Sequence, residues 1–129
     1  LRFRLSQSDG TRYIRTERPA EAGGEWQDAH YHTAVQETYI VQSGWIGFAE
    51  LVAGAMCLRI LEEGTIVTTQ PFVHHNVFMP AGAIIHTVKH GKGQREDKEP
   101  ADALNIETRR LVDEAEVLRF AESSAKAGG

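Results

Sequence analysis

Three side chains in one short stretch carry the most specific chemistry in this sequence: His30, His32 and Glu37. Alternate side chains of a strand share a face, so His30 and His32 point the same way, two residues apart. No closer spacing lets a strand aim two imidazoles at one ion. Glu37 lies an odd number of residues beyond His32 and joins the pair only if the chain turns between them. Thr33 to Gln36 is long enough for that turn. An imidazole pair with a carboxylate suits Mn, Fe, Co, Ni, Cu or Zn, and suits Ca or Mg poorly.

The elements that must position these residues read as short strands between glycine-rich turns. Arg12 to Thr16 alternates weakly, a turn follows at Gly23-Gly24, and Trp26 to His32 is the next candidate. Glu37 to Gln42 is rich in β-branched and aromatic residues and stops at Gly44. Trp45 to Leu51 and Met56 to Leu61 flank a hairpin turn at Val52 to Ala55, and Glu62 to Gly64 leads into Thr65 to Thr68. His75 to Met79 and Ala83 to Lys89 read as a hairpin around Pro80-Ala81-Gly82. Short strands at this spacing predict a sandwich or barrel, with a core over about 12–90. A charged segment over about 91–101 reads as a mobile loop. Asp113 to Glu116 fits a capping box that opens a short helix over about 114–122, followed by a frayed tail from Ser123.

The spacing Gly24, five residues, His30-Tyr31-His32, four residues, Glu37, six residues, Gly44 resembles the first motif of the cupin superfamily at every slot. The second cupin motif runs Gly, five residues, Pro, one residue, Gly, two residues, His, three residues, Asn. Counted from Gly64, its slots fall on Gln70, Phe72, His75 and Met79. The histidine is kept, whereas Pro is displaced to position 71, Gly has become Phe72 and Asn has become Met79. The resemblance spans Gly24 to Val88. It implies an all-β, cupin-type antiparallel barrel (a jelly roll, or double-stranded β-helix) with a short C-terminal helix, in one domain covering 1–129. It also implies His30, His32, Glu37 and His75 as ligands of one divalent transition metal: Mn, Fe, Ni, Co or Zn. Four protein ligands leave two adjacent positions on an octahedral ion and close a tetrahedral Zn, which favours the first four metals for catalysis.

Two further residues are candidates for proton transfer. If Ala81-Gly82 is a two-residue turn, Val77 pairs with His86 and His75 with Val88, and His86 faces inward beside His75; a three-residue turn reverses that face. Tyr39 and Val41 share a face with Glu37, so Tyr39 either lines the pocket with its hydroxyl or is a core tyrosine. His74 should point away from the barrel if His75 points in. His90, at a strand end, is expected to be exposed, and Lys89 can act as a polar anchor or acid-base group. Trp26, Trp45, Phe48, Phe72 and Phe78 read as core or interface. Cys57, among Met56, Leu58 and Ile60, reads as a buried structural thiol.

Composition narrows the remaining choices. The 129 residues suit one core, and a net charge of −4 without a Lys/Arg run argues against nucleic acid. No apolar run approaches a membrane span, and Leu1 to Gly10 lacks the apolar stretch of a signal peptide, although residues can have preceded Leu1. A lone cysteine fits a reducing compartment, hence a cytoplasmic expectation. Cupins span many chemistries, and fold does not choose among them. The expected function is metal-dependent action on a small molecule. Isomerase or epimerase chemistry on a small sugar or other chelating hydroxy-carbonyl compound comes first. An Fe-dependent dioxygenase and a non-enzymatic binding cupin are the alternatives. A homodimer is expected, with Arg2 to Leu5 able to add to a neighbour's sheet.

Overall fold

The computed structural model describes residues 1–91 and 97–128, and its chain is built mostly of antiparallel strands. In order they are β1 (Arg2–Ser6), β2 (Arg12–Glu17), β3 (Glu25–Trp26), β4 (His30–His32), β5 (Val35–Ser43) and β6 (Trp45–Val52). They continue as β7 (Ala55–Glu62), β8 (Ile66–Thr69), β9 (His75–Met79), β10 (Ile84–Gly91) and β11 (Lys98–Pro100). Two helices close the chain, α1 (Asp102–Arg109) and α2 (Glu114–Gly128). One sheet has the order β1-β2-β10-β5-β8; the other runs β11-β4-β9-β6-β7, with β3 also on β9.

Hydrophobic alternation explains this layering. Along β5, Val35, Glu37, Tyr39 and Val41 are buried while their neighbours are half-buried or exposed. The inner faces enclose Tyr39, Val41, Ile46, Phe48, Leu61, Val77, Met79, Ala83 and Ile85. On its other face the second sheet is covered by the helices, which bury Leu104, Val117 and Ala121 against Phe78, Leu58 and Ala49. Each fully buried Val, Leu, Ile, Phe or Met among them contributes about 1.5–3 kcal/mol. Strand β9 is therefore covered on both faces, which is why it reads as a nearly continuous buried run. Gly24 is required by this packing: a Cβ there would stand 2.3 Å from the Phe78 ring. Gly44 turns β5 into β6 at φ +78°, a left-handed conformation that glycine adopts without strain.

Several expectations need correction. β9 and β10 do not form a hairpin. β9 pairs with β3, β4 and β6, whereas β10 pairs with β2 and β5, so Pro80-Ala81-Gly82 carries the chain from one sheet to the other. Trp26 to His32 is two short strands rather than one. The segment expected as a loop contains β11, which pairs with β4, and it is followed by α1; the rest of that loop, 92–96, lies outside the described residues. Helix α2 starts at Glu114, where the Glu116 N–H donates to Asp113 Oδ1 at 2.9 Å, and it runs on to Gly128 instead of ending near 122. β1 pairs with β2 of its own chain, and its edge position is compatible with the expectation that Arg2 to Leu5 adds to a neighbour's sheet. Cys57 is exposed on β7, because it falls on the solvent side of the alternation that buries Leu58. Phe72 is exposed, at 67%, which removes the core reading for it and leaves the interface one. No helix among the described residues is long and apolar enough to cross a membrane.

Candidate metal centre

β4 and β9 are adjacent, with His30 and His75 as direct partners in the ladder, and β5 faces them from the other sheet. Their inward side chains converge. Glu37 Oε1 lies 2.7 Å from His30 Nε2, 2.5 Å from His32 Nε2 and 3.0 Å from His75 Nε2. All four residues are buried. The ligand atoms of His30, His32 and Glu37 lie within 4.8 Å of one another.

The rear of each ring decides what the front can do. His30 Nδ1 is 2.9 Å from the Asp28 carbonyl oxygen, and His75 Nδ1 is 3.0 Å from that of Val73. His32 Nδ1 is 2.8 Å from Asp97 Oδ1. Each Nδ1 therefore faces an acceptor and carries the N–H, a tautomer assigned here from the network. In neutral imidazoles the three Nε2 atoms then present lone pairs toward an ionised carboxylate oxygen. Four acceptors meeting at one point repel unless a cation lies between them. The residues present thus fit a metal, and they fit it with ring orientation fixed from behind.

Burial raises the Glu37 carboxyl, and positive charge or N–H donors at the three imidazole positions lower it far below the ordinary carboxylate range. With the protons on Nδ1, a cation at the centre takes that role. Tyr39 donates its hydroxyl to Glu37 Oε2 at 3.0 Å. Burial, and then the charge of Glu37 and this bond, push the Tyr39 hydroxyl well above the ordinary tyrosine value.

The other expected residues separate. His74 points outward and stacks on Tyr31 with ring centroids 4.3 Å apart. His86 is not at the centre. On β10 the inward residues are Ile85, Thr87 and Lys89, opposite Val41, Tyr39 and Glu37, so His86 lies on the outer face. There it contacts the Tyr13 hydroxyl and Gln42 Oε1, each at 2.5 Å, and stacks on Tyr13. His90 is half-buried rather than exposed, with Nε2 2.9 Å from Thr38 Oγ1. Of the displaced motif slots, Met79 joins the core, and Phe72 takes φ +69° where the cupin pattern has glycine.

One residue of the centre escaped sequence reasoning. Asp97 Oδ2 accepts the backbone N–H groups of Thr33, Ala34 and Val35 at 3.0, 2.6 and 3.1 Å, while Oδ1 faces His32. It thereby fixes the turn that brings Glu37 back to the histidines. Burial raises the Asp97 carboxyl, but these N–H donors and His32 hold it below the ordinary value. An aspartate inside a charged loop gives no signal by spacing; the only hint is that His32 Nδ1 needs an acceptor.

Beside the centre is a cavity of about 110 Å³ whose wall includes His30, Glu37, Tyr39, Thr87 and Lys89.

No family model and no curated protein matches this chain. Solved structures do. A double-stranded β-helix protein from Klebsiella pneumoniae superposes with a TM-score of 0.62 at 17% identity, covering 78% of this chain and 83% of that one. A cupin protein from Bacteroides fragilis gives 0.55 at 19% identity, over 74% and 80% of the two chains. Oxalate decarboxylase from Bacillus subtilis gives 0.57 at 15% identity and covers 72% of this chain. This chain spans only 24% of that enzyme, whose Mn(II) centres are described in a further structure. The protein has the cupin fold.

Proposed function

We propose that this chain is a metal-dependent cupin acting on a small, metal-chelating hydroxy-carbonyl compound, with isomerase- or epimerase-type chemistry as the first reading. The supporting observation is the convergence of three imidazole lone pairs and one carboxylate beside a small cavity. His30, His32, Glu37 and His75 would hold one divalent ion. Mn is supported by the donor set and by the oxalate decarboxylase likeness. When bound, the ion supplies Lewis acidity toward a chelated carbonyl, or redox chemistry if it is Fe.

The chain's own residues do the rest. Tyr39, kept protonated by burial and by Glu37, spends its one O–H on Glu37 Oε2 and so orients that carboxylate rather than acting as a base. The apolar side chains packed around it limit water. With His86 on the outer face, Tyr39 and Lys89 are the expected proton-handling residues that adjoin the centre. The dioxygenase is the second reading, since oxidative chemistry at the ion needs no protein base.

The test uses metal-loaded protein and a panel of short hydroxy-ketones in deuterated water, followed by NMR and an oxygen electrode. Exchange of the α-hydrogen that slows in Tyr39→Phe supports isomerase chemistry. No exchange with Mn, Fe, Ni or Co loaded ends that reading. Oxygen uptake restricted to the Fe form moves the dioxygenase to first place.

A further inference from the structure

We propose that the outer face of the sheet β1-β2-β10-β5-β8 is where a second copy of this chain docks, face to face about a two-fold axis. The inference is independent of the metal chemistry, because it concerns the side of that sheet turned away from the centre.

The outer faces of the two sheets differ. Helices α1 and α2 lie on the second sheet, where Leu104, Val117 and Ala121 are buried. On the first sheet Phe3, Leu5 and Ile66 are 56%, 57% and 64% exposed, and Ile40 and Val88 between them are half-buried. The ladders join these into one surface: Phe3 pairs with Arg15, Arg15 with His86, His86 with Ile40, and Ile40 with Ile66. Apolar side chains thus reach from one edge of the sheet to the other, and a patch of that kind marks an interaction site.

Polar groups on this face are satisfied by one another. Tyr13 donates its hydroxyl to His86 Nδ1, and His86 Nε2 donates to Gln42 Oε1, each at 2.5 Å. Thr38 Oγ1 stands 2.8 Å from Thr68 Oγ1 and 2.9 Å from His90 Nε2, while Gln36 Nε2 donates to Gln70 Oε1 at 2.7 Å. Most side-chain hydrogen bonds in proteins go to backbone or water instead. Groups already paired across strands leave fewer bonds to water to be broken, so covering this face costs little desolvation.

Charge and area select the occupant. Although 25% of the chain is charged, Arg15 and Glu17 are the charged side chains turned outward on these five strands, and they are bridged at 3.1 Å. Depletion of charge is the mark of an interface centre, and a neutral patch does not repel its own copy. About a two-fold axis, Arg15 of one copy can meet Glu17 of the other. Five strands about 4.8 Å apart, each about six residues long, make a face of about 24 by 20 Å. Two such faces offer about 960 Å² as flat footprints, and side-chain relief carries this past the roughly 1,000 Å² that a specific interface needs. Packed sheets of this kind lie about 10 Å apart with strands crossing at about 30°.

Sedimentation velocity on the full chain tests the proposal. The parent should sediment as a dimer at micromolar concentration. Phe3→Glu and Ile66→Glu each bring two like charges into the contact, one from each copy, and should each weaken dimerisation at least about 100-fold. Leu118→Glu, at an exposed apolar position on α2, should leave the dimer intact. Circular dichroism and metal content report whether each variant is folded. Ile66→Thr should weaken the dimer about tenfold and carries the test if the glutamate variants unfold. A parent that stays monomeric overturns the proposal, and so does a dimer that Leu118→Glu breaks and Ile66→Glu does not. A dimer weakened by Phe3→Glu but not by Ile66→Glu also overturns it, because Ile66 lies on the far edge strand and strand addition at β1 would then be the contact.

Discussion

Replacing Asp97 with Asn removes one negative charge behind His32 while preserving the shape of the side chain. The three backbone N–H groups of Thr33, Ala34 and Val35 require an acceptor, so the amide oxygen of the variant turns toward them. Its NH₂ then faces His32 Nδ1, which must become an acceptor. That tautomer places the proton on Nε2, and an N–H cannot ligate a metal. Loss of such a supporting carboxylate typically lowers metal affinity 10–100-fold, or about 1.4–2.8 kcal/mol. The metal-free fold should lose less. The Asp97 side chain is 19% exposed, so its charge-assisted bonds are partly screened, and about 1–2 kcal/mol is the expected cost. At about 4 °C per kcal/mol for a domain of this size, the Tm falls by about 4–8 °C. Competition with a chromophoric chelator reads the first quantity and thermal unfolding after chelation reads the second. An affinity within about twofold of the parent, with Tm lowered, would refute the tautomer argument and leave Asp97 a turn residue only.

Four further outcomes follow from the same geometry. Because the Asp97 carboxyl is held below its ordinary value of 3.8, its contribution is complete above that pH and is lost as pH falls through the lower folded value. The stability gap between the chelated parent and Asp97→Asn should therefore close on acidification, and a gap unchanged down to pH 2 contradicts this; urea melts across pH provide the check. Gly24→Ala forces a Cβ into the Phe78 ring and should cost about 1–3 kcal/mol in denaturant melts, whereas an unchanged midpoint means the contact is loose. Phe72→Gly relieves a left-handed non-glycine residue whose ring is already exposed, so it should stabilise by about 1 kcal/mol; destabilisation would show that the ring packs in solution. His86→Ala removes contacts to Tyr13 and Gln42 on the outer face and should leave metal content at the parental level. Loss of the ion in that variant would contradict its placement.

Most strands were legible because alternation is a local signal: the buried Val35, Glu37, Tyr39 and Val41 of β5 are spaced by two. His30 and His32 were legible from strand alternation, Glu37 joined them only through a turn, and His75 was implied only by the resemblance to the cupin motifs. What failed depended on which sheet a strand joins. β9 and β10 are consecutive, with a turn between them, and nothing local says that the turn crosses the barrel. The face of His86 was therefore argued from a pairing that does not exist. α1 lacks a capping signal, because Ala101 precedes it and makes no side-chain cap, and one of its two buried residues is Thr108. Asp97 was hidden because its partners lie more than sixty residues away along the chain. Cys57 was misplaced because it sits in a mixed run where hydrophobicity alone does not give the face.

Metal content is the most direct test of the central claim. Protein prepared without a histidine tag or chelator, and then reconstituted, is assayed by elemental analysis beside His32→Ala and His75→Ala. The account predicts close to one transition-metal equivalent in the parent and loss of it in both variants, with the fold retained by circular dichroism. A folded parent that takes up no metal, or variants that keep it, would contradict the assignment of this centre.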